Sequence, residues 1–144
     1  MPRRRRIVLI LPCSILTSLL VGCGSAAPGS ADIAVTYSDE SGQQQQVTIR
    51  AESTVCTDDI TPDRRRLATA DGAVAALVDP LGEAMVQVKI DDELTFQSTT
   101  AGRGDRHGFR LEDVEGIVVR IPLSGMQKKI SEGARVTGTL DCPA

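Results

Sequence analysis

Apolar residues return at every second position through much of this chain, in runs too short for helices. Ile33, Val35 and Tyr37 form one set, Val47, Ile49 and Ala51 a second, and Val86, Val88 and Ile90 a third. Residues two apart share one face of a strand, so each run reads as a strand with one buried face. The intervals carry turn chemistry: Asp39-Glu40-Ser41-Gly42, Asp79-Pro80-Leu81-Gly82 and Asp91-Asp92-Glu93. Leu94 and Phe96, Phe109 and Leu111, then Ile117, Val119 and Ile121, then Val136 and Leu140 extend the inward set. Pro122 has no N–H to give a ladder and ends its strand. About eight short strands at this spacing predict an all-β fold, an antiparallel β-sandwich or flattened barrel.

Four segments do not follow the alternation. Leu67 to Val78 is rich in alanine, but it is short and Gly72 divides it, so Ala73 to Val78 reads as a strand turning into Ala84 to Ile90. Thr57 to Arg66 holds Pro62 and the run Arg64, Arg65, Arg66, and reads as a loop whose arginines pair with Asp58, Asp59 and Asp63. Leu123 to Ser131 fits a loop or one turn of amphipathic helix. Thr99 to Gly108 contains Gly102, Gly104 and Gly108 and nothing apolar larger than Ala101 before its last glycine. Such a segment buries too little to offset its ordering entropy, so it is expected to be an exposed, mobile tip.

The N-terminus constrains location. Arg3 to Arg6 precede a largely apolar run from Ile7 to Val21, which closes on Leu20-Val21-Gly22-Cys23. A basic n-region, a short apolar core and small residues before a cysteine make a bacterial lipoprotein signal, cleaved between Gly22 and Cys23, with the Cys23 thiol carrying the lipid. The run has 15 residues and contains Pro12, whereas a spanning helix needs roughly 20. The arginines lack the flanking polar residues of a twin-arginine export motif. The domains expected are a signal over 1–22, a lipidated Gly/Ser/Ala tether over 23–31 and one β domain over 32–144. Gly24 to Ser30 would span about 15 Å on average, holding the body near the extracytoplasmic face of the cell membrane.

Cysteine positions follow from this. Cys13 leaves with the signal and Cys23 is used for lipid, so Cys56 and Cys142 are the thiols left in an oxidising compartment and are expected to form a disulfide. A two-cysteine metal site lacks further ligands, since His107 is the single histidine. A redox pair usually sits at Cys-x-x-Cys spacing. Alternation continued from Ala51 puts Ser53 and Val55 inside and Cys56 outside, so a bulge or strand end must intervene if Cys56 bonds across the core. Four of the 16 basic residues lie in the signal, so 12 face 19 acidic ones and the mature chain carries a formal charge of −7. That balance argues against nucleic acid and leaves membrane attachment to the lipid.

Nothing reaches the level of a catalytic motif. There is no Gly-x-Ser-x-Gly elbow and no His-Glu-x-x-His. Asp91-Asp92 and Glu112-Asp113 read as solvating charges. No enzyme activity, cofactor or metal is expected. Arg103-Gly104-Asp105 is a candidate adhesion loop, because recognition of that tripeptide needs cation and carboxylate splayed about a permissive glycine at an exposed tip. Tyr37, Phe96 and Phe109 are the only aromatics, too few for a stacking platform. The functions compatible with these residues are a monomeric envelope lipoprotein that meets protein partners at the cell surface, or a small module holding an apolar, lipid-like ligand between its sheets.

The lipidation sequence, the tether, Val55-Cys56-Thr57, the Gly72 to Asp79 stretch and the closing Val136 to Cys142 together resemble the nineteen-kilodalton lipoprotein antigen family of mycobacteria and related actinobacteria. The resemblance covers most of Asp32 to Cys142. It implies a surface-exposed, antigen-like envelope lipoprotein recognised through its acylated terminus, without enzymatic activity. The tether here lacks the threonine cluster expected for glycosylation in that family.

Overall fold

The computed structural model describes residues 26–58 and 63–144. The export signal, the lipidation site at Cys23 and Asp59 lie outside the described residues. Ten strands follow in order: β1 Ser30–Ser38, β2 Gln44–Ala51, β3 Thr54–Asp58, β4 Arg65–Thr69, β5 Val74–Val78, β6 Glu83–Lys89, β7 Leu94–Ser98, β8 Gly102–Asp105, β9 Gly108–Arg120 and β10 Lys128–Asp141. All pairings are antiparallel, and the main path runs β2-β1-β10-β9-β7-β6-β5-β4-β3. Strand β8 pairs with both β6 and β9 beyond the end of β7, so β7 and β8 lie end to end between those two strands and act as one interrupted strand of the path. The all-β expectation holds, with ten strands where about eight were read.

The turns explain much of the acidic surplus. Asp39, Asp71, Asp79, Asp91 and Asp105 each accept, through a side-chain oxygen, the N–H of the residue two further on. An aspartate that satisfies a turn backbone in this way fixes where a hairpin reverses. Hydrogen bonds, first from the Ser41 hydroxyl, then from Gln45 and the Gln43 N–H, hold the Asp39 carboxyl below its ordinary pKa. Asp71 is lowered likewise, chiefly by the Thr69 hydroxyl.

Alternation places the core as expected in β1 and β6. Ile33, Val35, Val86 and Val88 are buried among Leu67, Phe96 and Leu140. Full burial of one such side chain stabilises the fold by about 1.5–3 kcal/mol. In β9 the expected phase is wrong beyond Leu111. Phe109 and Leu111 face in, but Val114 and Val118 follow them, while Ile117 is half-buried and Ile121 is exposed beyond the strand. Val119 is buried, yet outside the main core. The cause is an extra residue on β9: Val136 faces Val114 and Gly138 faces Leu111, with Asp113 at φ 55° between them. One inserted residue exchanges the two faces of a strand.

Three loop expectations are corrected. Strand β3 continues to Asp58 and β4 begins at Arg65, inside the segment read as the loop Thr57 to Arg66. The β9–β10 link is irregular to Gln127, and β10 starts at Lys128. Gly102 to Asp105 form β8 rather than a mobile tip. Polar sequence misleads here because β8 is held through backbone: Gly104 donates its N–H to the Gly82 carbonyl at 2.9 Å. A Cβ on Gly104 would approach Val78 Cγ2 to 2.8 Å, so only glycine fits this crossing without displacement.

Candidate interaction surface

Cys56 and Cys142 are bonded, with Cα atoms 5.8 Å apart. The intervening break comes at Glu52 and Ser53, both exposed, after which Thr54 is buried, Val55 points outward and Cys56 is half-buried. The required strand end is thus present, and the inner positions are Thr54 and Cys56 rather than Ser53 and Val55. The bond ties β3 to the residue that follows β10, and the Cys142 N–H donates to the His107 carbonyl at 2.7 Å.

The Arg103-Gly104-Asp105 sequence lies inside β8, with Arg103 opposite Glu83 on one side and Arg110 on the other. Both charged side chains are exposed, but the backbone is paired on two sides, unlike a loop tip. Asp105 accepts the His107 N–H at 2.7 Å, and Arg106 Nε donates to His107 Nε2 at 3.0 Å. A cleft of about 520 Å³ beside them is lined by Asp58, Asp63, Arg65, Asp79 and Arg106 among others. Arg65 in this cleft is paired with Asp58 at 2.9 Å. Among the described residues no group of three or more His, Cys, Asp or Glu side chains could hold a metal.

A second charged cluster is also internally matched. Lys128 and Arg120 bond both oxygens of Glu40, at 2.5 and 2.9 Å, and Arg120 lies 3.5 Å from Glu93. Those contacts, Lys128 foremost, hold Glu40 below the ordinary glutamate pKa. Burial, reinforced by Asp91 and Asp39, raises the Tyr37 hydroxyl.

The remaining feature is apolar. On the outer face of β3 to β6, Val55, Leu77 and Met85 are 50%, 42% and 46% exposed. Register sets Arg66, Leu77 and Met85 side by side in one cross-strand row, while Val55 heads the neighbouring row through Ala68 and Ala75. The small alanines leave a shallow cleft of about 370 Å³, which Arg66, Leu77, Met85, Gln87 and Gln97 help to line. Sequence reading placed only the inward residues of these strands. The available signal was that β5 is apolar in both phases, with Ala76 and Val78 inside and Leu77 outside. Between the facing strands, Ile33, Phe96, Leu67 and Leu140 are at most 1% exposed, and an apolar guest there would have to displace them.

Comparison with protein-family models, with curated proteins and with solved structures finds no match.

Proposed function

We propose that the chain is an envelope lipoprotein, attached to the membrane through lipid on Cys23, whose β domain has no enzymatic role and meets protein partners at the cell surface. The observation that carries this reading is the spacing of the lipidation sequence: Leu20-Val21-Gly22-Cys23 ends seven residues before β1 begins at Ser30. A body that starts so soon after the anchor sits against the membrane. The Cys56–Cys142 disulfide supports export, since such bonds persist in oxidising compartments. The partner surface suggested is the pair Leu77 and Met85 with Arg66 beside it, which suits a partial apolar contact flanked by a carboxylate. The resemblance to the nineteen-kilodalton antigens agrees with this placement.

Metabolic labelling with a fatty acid tests the anchor. The parent chain incorporates label and Cys23→Ala incorporates none, leaving uncleaved precursor; label retained in Cys23→Ala overturns the reading.

A further inference from the structure

Strand β2 presents an open edge. Among the described residues it pairs with β1 alone, and it ends the strand path. Its register with β1 runs unbroken from Gln44 opposite Ser38 to Ala51 opposite Ala31. It contains no proline, no lysine and no bulge, the devices by which exposed edges are usually protected. Its inner-face residues Val47, Ile49 and Ala51 pack against the core but stay half-buried, because no other described strand lies beyond them.

The hydrogen-bonding phase of this edge follows from the hairpin. The Asp39 N–H donates to the Gln43 carbonyl at 2.8 Å. Bonded and non-bonded pairs alternate along an antiparallel ladder, so Gln45, Val47 and Ile49 turn their backbone groups toward β1. Gln44, Gln46, Thr48 and Arg50 therefore turn theirs outward. Gln45 uses its side chain on the turn, donating to Asp39 Oδ2 at 2.8 Å.

We infer that β2 is the edge at which two copies of this chain pair, antiparallel and symmetric about Val47. In that register Val47 meets Val47 of a second copy, Gln46 meets Thr48, and Gln44 meets Arg50. The outward groups on both strands then form roughly eight backbone hydrogen bonds. The only charged residue of the strand, Arg50, faces a neutral glutamine and not its own copy, so no like charges meet. The glutamine run supplies this neutrality, and Val47 and Ile49 gain the cover they lack. This replaces the monomer expected at the outset, and it does not depend on the lipoprotein reading.

The test uses the purified full chain under mild oxidation, with the parent chain reporting any bond through Cys13 or Cys23. Val47 pairs with itself at a non-bonded position, where Cα atoms lie about 4.5 Å apart, within disulfide range. Val47→Cys is expected to give a cross-linked dimer as the main species, and Arg50→Cys mostly monomer. Adding Thr48→Pro to Val47→Cys removes an outward N–H while sparing the β1 ladder, and is expected to cut cross-linking at least about tenfold. Circular dichroism identical to the parent shows that this variant still folds. Monomeric Val47→Cys, equal cross-linking at both positions, or indifference to Thr48→Pro overturns the proposal.

Discussion

The two ends of the strand path, β2 and β3, are both edges, yet they are finished differently. Strand β3 is five residues long and locked: Cys56 is bonded to Cys142, and the Thr54 hydroxyl donates to the Asp141 carbonyl at 2.6 Å. Gly29 closes over it so tightly that a Cβ there would lie 1.7 Å from Thr54 Oγ1. Strand β2 is eight residues long and rests on β1 and the Asp39 turn. Short and stapled at one end, long and bare at the other, the pair separates an edge built for closure from one built for contact.

Removing the staple should erase that difference. Cys56→Ser with Cys142→Ser releases a loop of 86 residues, and loss of about 4–5 kcal/mol is expected in the chain-entropy model. Denaturant unfolding checks it, and an unchanged midpoint would mean β3 is held by packing alone. Ile49→Ala removes half-buried bulk from β2, with an expected loss of about 1–2 kcal/mol, below the range for a fully buried isoleucine. Thr54→Val deletes the hydroxyl bond that closes β3 and should cost about 1 kcal/mol. Arg50→Ala breaks an exposed pair with Asp32 at 3.3 Å and should change stability by less than about 0.5 kcal/mol.

The gentlest probe is pH. Because the fold lowers the Asp39 carboxyl, its contribution to the β1–β2 turn is complete above the ordinary aspartate value of about 4 and is lost as pH falls below it. Acid should therefore speed amide exchange at Ser41 and Gln43 first, and Asp39→Asn should remove that dependence.

Local features of the fold were legible and long-range ones were not. The hairpin of β1 and β2 could be read because period-2 alternation and Asp39 to Gly42 act over a few residues. The strand end before Cys56 followed from parity alone. By contrast, the phase change at Asp113 depends on how β9 meets β10, and no neighbouring residue announces it. Strand β8 was hidden for a related reason: one of its two sides is held by backbone bonds to a segment some 20 residues away at Gly82, and glycines that look permissive in sequence are there for close approach. The outer strip went unread because alternation was used to find inward residues, and Leu77 and Met85 occupy the opposite phase.

Strand β10 also sets a timetable. It is the last of the described strands, it joins β1 across more than a hundred residues at Ser30 and Asp141, and it borders β9 along nearly its whole length. Early segments can form hairpins, but β1 has no second neighbour until the final residues arrive. The slowest step of folding is therefore expected to be the return of β10 to β1.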